Sequence, residues 1–502
     1  MKRFRIQAIV AAWLCAPALC AQPDTVASRF ARLIDRVDLK RHLEVLASDS
    51  FMGRDTGKKG QKMAAEYLRD RFKDIGVPPL SRAGVDGGYF QAYELIESRK
   101  GSIAVRSRNH ELRWPQEILY FSEHMTEGLV LDWLIPLKAT KPLDSILVAR
   151  AGVVIDARNL ELGPSGFRGL SEPLERAKSA GYKAVFIILQ EEAKQQMDGL
   201  VHADGTSMRL PSPEDGAQAR NGATQVFYLT ANGLSKLAGR RGTRLLLKPK
   251  ARRVKAGISI EVTSREKRIQ AENVLAYIEG SDLREEVVVV TAHYDHIGVE
   301  NGVVYNGADD DGSGTVALLE IAQAFTAAKS VGRGPRRSIL VMPVSGEEKG
   351  LLGSRYYSDN PVFPLEQTVS NLNIDMIGRV DSAHSASPPY VYIIGSDRLS
   401  SDLHAVNEAA NSAHTRIVLD YTFNAEDDPN RFYYRSDHYN FARKGVPSIF
   451  FFSGVHEDYH QPGDDVEKIR FDLLESRARL VFHTAWLLAN RNERIRTDKP
   501  IR

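Results

Sequence analysis

The sequence predicts an α/β protein: a mostly parallel mixed sheet flanked by helices, with a smaller β-rich unit inserted into it. Two observations carry this. From Glu272 onward, short apolar runs (EEVVVVTAH, RSILVMPVSG, VSNLNIDMIG, YVYIIGS, VPSIFFFSG) alternate with helical patterns (GTVALLEIAQAFTAA, LLESRARLVFHTAWLLAN). Strands buried on both faces and joined by crossover helices make a parallel sheet. Upstream, between about 120 and 255, the character changes to strand-like runs GVVID, KAVFIIL and TQVFYL, with one helix-like segment, EPLERAKSAG, and polar or Gly/Pro-containing stretches between.

The elements follow in order. Lys2, Arg3 and Arg5 precede the apolar run Ile6 to Leu19, too short to span a bilayer, which ends in Cys20-Ala21-Gln22-Pro23. This is the layout of a secretory signal peptide, with cleavage expected after Ala21. Lipidation at Cys20 is disfavoured, because the preceding Leu19 is not small. Two helices are expected next, LKRHLEVLAS and GQKMAAEYLRDRFKDIG; in the second, Met63, Ala64, Tyr67, Leu68 and Phe72 recur at helical spacing. The Gly-containing FMGRDTGKKG between them reads as a loop. The expected organisation is a leader over 1–21, the first part of the main domain over 22–118, the insert over 119–258 and the catalytic part over 259–502. The basic run RRGTRLLLKPKARRVK closing the insert reads as a solvated linker rather than a polyanion site.

Composition excludes several functions. The 502 residues are 43% hydrophobic, with 67 Lys+Arg against 64 Asp+Glu and 2 Cys. A net charge of +3 over that length predicts no nucleic-acid or anionic-membrane partner, and no later stretch has the length of a membrane span. Removing 1–21 takes away Lys2, Arg3, Arg5 and both cysteines, Cys15 and Cys20, leaving basic and acidic residues equal in number. An exported, neutral, thiol-free chain is expected, periplasmic or extracellular, in which metal ligands must be His, Asp or Glu.

In parallel α/β sheets ligands bind beyond the carboxyl ends of the strands. After EEVVVVTA come His293 and Asp295, which share one face of an extended segment. Asp309, Asp310 and Asp311 then open a helix, where one carboxylate suffices as a cap and three together repel unless a cation neutralises them. After SILVMPVS come Glu347 and Glu348, able to divide ligation and proton transfer between them. Asp375 follows SNLNI, and either His456 or His460 follows IFFFSG. Two histidines with several carboxylates, one of them bridging, describe a dinuclear hydrolase centre.

The motifs AHYDH, NGADDDGSG, GEEKGLLGS, NIDMIG and DYHQPGDD, in that order, resemble the secreted two-zinc aminopeptidases of metallopeptidase family twenty-eight, whose relatives include glutamate carboxypeptidase, the transferrin receptor and glutaminyl cyclase. The resemblance covers roughly 272 to 490 and the segment HLEVLASDSFMGRDTGKKGQKMAAEYL, and the insert resembles a protease-associated domain. It implies a zinc-peptidase fold and two zinc ions, one held by His293 and Asp375, the other by Glu348 and His460, with Asp310 bridging. It also implies that Asp295 orients His293, that Glu347 is the general base, and that Tyr459 steadies the oxyanion. The implied reaction is hydrolysis of N-terminal residues from peptides or proteins by a metal-bridged hydroxide. A carboxypeptidase, a glutaminyl-cyclase-like enzyme and a non-catalytic receptor-like domain are the alternatives. A serine hydrolase is excluded by the absence of a Gly-x-Ser-x-Gly elbow. Ser436, Asp437 and His438 are assigned to the site wall, and His296, His384, His404 and His456 to surface or packing positions.

Overall fold

The computed structural model describes residues 24–120, 126–137, 148–160, 162–163, 166–167, 169–198, 206–212, 224–248 and 253–501. The leader expected over 1–21 lies outside the described residues. No helix among the described residues is long and apolar enough to cross a membrane.

A seven-stranded mixed sheet forms the centre, in the order Ala276–Ile278, Arg337–Val344, Leu283–His293, Thr368–Ile374, Ser448–Phe452, Tyr390–Ile394, Val418–Asp420. The second to fifth strands of that order are mutually parallel. The strand Leu283–His293 shows why the apolar runs are unbroken. Val288, Val290 and Ala292 pack into the core shared with the helices Gly314–Ser330 and Phe471–Asn490, while Val287 and Val289 pack with Tyr357 and Phe441 on the opposite face. Burial of both faces removes the alternation a half-exposed strand would show.

Parallel pairing brings the carboxyl ends of four strands to one edge: His293, the residues after Val344, Asp375 after Ile374, and the loop after Phe452. Tyr390–Ile394 runs antiparallel to Ser448–Phe452, so its carboxyl end lies at the opposite edge. That is the structural reason YVYIIGS delivers no carboxylate or imidazole to this cluster.

The N-terminal helices Thr25–Ala31, Arg36–Leu46 and Lys59–Asp74 cover one face of this sheet. Asp24 caps the first through Val26 and Ala27 and also accepts from Trp486 Nε1 at 2.9 Å, fastening the first helix to the last. The loop expected at FMGRDTGKKG contains a 3-10 turn, Asp49–Arg54, and Arg54 is 1% exposed.

A second, nine-stranded sheet is built from strands running from Phe90 to Val274, to either side of the 119–258 stretch. Its two longest members, Phe90–Arg106 and Val254–Val274, are neighbours and pair antiparallel. The strands expected at GVVID, KAVFIIL and TQVFYL occur at Ala151–Asp156, Ala184–Leu189 and Gln225–Thr230, and the helix at EPLERAKSAG occurs over Ser171–Ser179. One expectation is corrected. The first half of the basic run is not linker but the end of the helix Ala231–Leu246, because Leu234, Leu237 and Leu246 are buried on one face while Arg240, Arg241 and Arg244 stay exposed.

Candidate metal centre

The three consecutive aspartates have three different tasks. Asp311 accepts through Oδ2 from His293 N at 3.1 Å and through Oδ1 from Gly314 N at 2.9 Å and Met376 N at 3.1 Å. It thereby ties together two strand ends and the start of a helix. Asp309 accepts from Gly378 N at 2.6 Å through Oδ1, while its Oδ2 lies 3.3 Å from His456 Nε2. Asp464 accepts from the backbone N–H groups of Asp309 and Asp310. Only Asp310 turns its carboxylate to the centre: Oδ1 lies 3.2 Å from His293 Nε2 and Oδ2 lies 3.1 Å from His460 Nε2. One oxygen faces each imidazole, the arrangement a bridging carboxylate requires.

On the first side, His293 Nε2 is 3.6 Å from Asp375 Oδ1 and 4.0 Å from Glu347 Oε2. Asp375 Oδ2 accepts from Ser436 Oγ at 2.6 Å, and Ser436 accepts in turn from Asn373 Nδ2 at 2.8 Å. The Ser436 side chain, expected at the wall, thus fixes one oxygen of Asp375 and leaves the other free. On the second side, Glu348 Oε2 is 3.2 Å from His460 Nε2, and Glu348 Oε1 is 2.8 Å from His296 Nδ1. All six side chains expected from the sequence to ligate metal or transfer protons, His293, Asp310, Glu347, Glu348, Asp375 and His460, are therefore brought together. Asp295 sits differently. Its backbone carbonyl is the group 3.1 Å from His293 Nδ1, whereas its carboxylate is 3.9 Å away and accepts from Thr56 Oγ1 at 2.7 Å and Glu347 N at 3.3 Å. Tyr459 stacks on His460, with ring centroids 3.9 Å apart.

One histidine expectation is corrected. His296 is neither at the surface nor packed only on carbon: it is fully buried, with Nδ1 toward Glu348. The chain turns back after Asp295, where His296 N donates to Arg54 O and a bridge forms with Asp55. His456 is buried against Asp309. The sequence reading also missed Arg54. Its guanidinium donates to the carbonyls of Leu46, Tyr294, Asn306 and Gly307 at 2.7 to 2.9 Å and so pins the segments on both sides of the centre. The second His of AHYDH was the available signal for His296; a lone Arg in a Gly-containing loop gave none for Arg54.

The electrostatics fit a cation. Burial pulls His293 down, yet the carboxylates of Glu347, Asp375 and Asp310 hold it well above its ordinary value, and Asp310 and Glu348 likewise push His460 up to about 10 against burial. Burial and Asp310 would raise Glu348, but the imidazoles of His296 and His460 bring it down to about 2. Protons on the imidazoles compensate a surplus of buried carboxylate, a task divalent cations perform in a set of this composition. His296 Nδ1, Asp310 Oδ2 and Glu348 Oε1 are buried with no hydrogen-bond partner among the described residues. Such polar atoms buried without partners point to a bound group. Two sets have ligand atoms close enough to share an ion: His293, Asp310 and Asp375, and His296, Asp310 and Glu348.

A solvent-open cleft adjoins this cluster. Its wall beyond the polar residues is Met376, Phe432, Phe450, Phe452, Val455 and Tyr459, with Arg435 also lining it.

Residues 273–485, which hold the strand-end motifs, match the family described as Peptidase family M28. Similar proteins include Aminopeptidase YwaD of Bacillus subtilis, 29% identical over 221 residues, covering 43% of this chain and 44% of that protein. A probable leucine aminopeptidase of Arthroderma otae is 30% identical over 215 residues, covering 41% and 56%. The chain thus spans about half the length of the curated relatives it matches. The fold is shared along nearly the whole chain with a solved aminopeptidase from Aneurinibacillus sp. strain AM-1 (TM-score 0.58, 17% identity, covering 95% of this chain and 100% of that one). It is also shared with BSAP, a zinc aminopeptidase from Bacillus subtilis (TM-score 0.52, 18% identity, covering 93% and 98%).

Proposed function

We propose that this protein is an exported zinc aminopeptidase that removes N-terminal residues from peptides, with two zinc ions held around Asp310. The observation that carries the reading is the two-sided carboxylate of Asp310, with His293 and Asp375 on one side and Glu348 and His460 on the other. Zinc in such a setting supplies Lewis acidity, lowering the pKa of water from about 15.7 toward about 7 and polarising a carbonyl oxygen.

The chain's own residues supply the rest. Glu347 is the general base: burial and the adjacent Glu348 and Asp375 carboxylates raise its affinity for a proton, so it takes one from water and returns it to the leaving amine. Asp295 holds Glu347 in place through its backbone N–H and fixes His293 through its own carbonyl. Burial raises the pKa of Tyr459 further above an already high value, so its hydroxyl stays protonated and can donate to the oxygen that gains charge. The cleft's apolar wall receives the side chain of the substrate's first residue, which favours apolar N-terminal residues. The 119–258 stretch acts as a protease-associated insert, and residues 1–21 as the export leader.

The test is hydrolysis of leucine anilide, with zinc counted by elemental analysis. Cleavage abolished by chelator and restored by zinc, with an N-acetylated substrate left intact, is the expected result. Chelator-resistant cleavage, or equal cleavage of the blocked substrate, would sink the assignment.

A further inference from the structure

The two halves of the centre are unequal. The half built on His293 has three protein donors, His293, Asp310 and Asp375, and the second oxygen of Asp375 is occupied by Ser436. The other half has Asp310, Glu348 and His460, and beside them His296. His296 is 0% exposed, and neither of its ring nitrogens has a hydrogen-bond partner among the described residues. Its Nδ1 lies only 2.8 Å from Glu348 Oε1, yet the two do not meet hydrogen-bond geometry, and both atoms count as unpartnered. Two atoms so close that do not point at each other can point together at a third centre. Asp310 Oδ2, 3.9 Å from the same nitrogen, is unpartnered as well. The ring has little freedom to turn away, since Gly307 backs it so closely that a Cβ there would fall 2.5 Å from its Cγ and Cδ2.

We propose that His296 is a fourth protein ligand of the zinc held by Glu348, His460 and Asp310. This rests on the two-zinc reading above and goes beyond it. Zinc with four protein ligands is a closed site, whereas three protein ligands leave a position open for water or substrate. The Glu348 side is then the retained, organising ion, and the His293 side is the one that meets the substrate and exchanges more readily. The donor chemistry is that of a borderline-soft divalent cation preferring imidazole, so zinc is favoured over magnesium or calcium.

The test uses the zinc-loaded full chain. X-ray absorption at the zinc edge should find three imidazoles shared over two ions, and equilibration across chelator-buffered free zinc should show one ion held tightly and one loosely. In His296→Gln, which keeps an amide able to hydrogen-bond Glu348, the tight step should weaken by more than about 100-fold, beyond the roughly 10- to 100-fold typical of an outer-shell partner. The loose step should be unchanged. Two imidazoles over two ions in the wild type, or an unaltered tight step in His296→Gln, would overturn the proposal. The absorption measurement on the wild type decides the matter even if the variant does not fold. Either adverse result leaves wild-type zinc content and anilide cleavage intact, whereas a wild type that binds no zinc brings down the aminopeptidase reading itself.

Discussion

Glu347 and Glu348 are adjacent in sequence but do opposite work, because successive residues after a strand point in different directions. Glu348 lies within 3.2 Å of two imidazoles, while Glu347 approaches only His293, at 4.0 Å. Glu347→Ala should therefore keep its zinc in elemental analysis and lose about 10²- to 10⁴-fold in kcat, the range for a deleted general base. Asp310→Ala should instead lose zinc, since its two oxygens serve both halves; full metal content in that variant would contradict the bridging role. Arg54 is a different case, a buried cation whose task is structural. Arg54→Met removes the donor to the carbonyls of Leu46, Tyr294 and Asn306, while Gly307 O keeps the Gly312 N–H, and at about 1 to 3 kcal/mol for each unsatisfied buried group the loss should be at least about 3 kcal/mol in urea unfolding. Five of the six site residues were legible because they sit just beyond an apolar run or open a helix; His460, well into the loop after Phe452, was level with His456 by position and was singled out only by the resemblance carried by DYHQPGDD. His296 and Arg54 were not, because their roles depend on where the chain turns after Asp295 and on carbonyls from distant segments.

The helix Gly314–Ser330, which starts at the aspartate cluster, is buried on nearly every side and carries an acid into the core. Glu320 lies 3.7 Å from His42 on the helix Arg36–Leu46, and His42 Nδ1 is 2.6 Å from Tyr67 OH. Burial, aided by Asp38, raises Glu320 from 4.5 to about 8, while burial and Arg41 lower His42 from 6.5 to about 4. Between 4.5 and about 8 the folded state keeps a proton on Glu320 that the unfolded chain releases. Its contribution is thus fully present below 4.5 and is lost as pH rises through about 8. His42 acts in the opposite sense, its contribution being present above 6.5 and lost as pH falls through about 4. Glu320→Gln should consequently flatten the decline in unfolding free energy on the alkaline side, a decline of at most about 1.4 kcal/mol per pH unit from this group in the wild type. An unchanged slope between pH 5 and pH 8 would show that Glu320 is ionised in the fold. The apolar face of this helix was legible from its spacing, but nothing local marks Glu320 as buried, since an isolated Glu in a helix ordinarily faces water.

At the scale of the whole molecule, the two sheets bury different residues. The core beneath the metal centre takes in residues from Ala27 to Tyr89 and from Val274 to Ile495, while the second sheet's two cores draw only on residues between Ile103 and Val262. The antiparallel pair Phe90–Arg106 and Val254–Val274 joins them, and near the first sheet it packs Tyr93, Leu95, Ile269 and Ala271 against Leu352. A unit with its own hydrophobic core, entered and left by two neighbouring strands, can be excised where those strands face each other. Ser98 and Glu266 are such a pair. Replacing 99–265 by an Asn-Gly turn preserves the hairpin nearest the centre and the ion pair of Lys58 with Glu97. The shortened chain should remain soluble, keep its zinc and cleave leucine anilide, because every residue placed at the centre lies outside the excised stretch. If the second sheet governs access, the change should fall on longer peptides, as a shift in kcat/KM relative to the anilide. A shortened chain that folds but has lost its zinc would show that the second sheet is part of the metal centre's support, and the division into two independently packed units would be wrong.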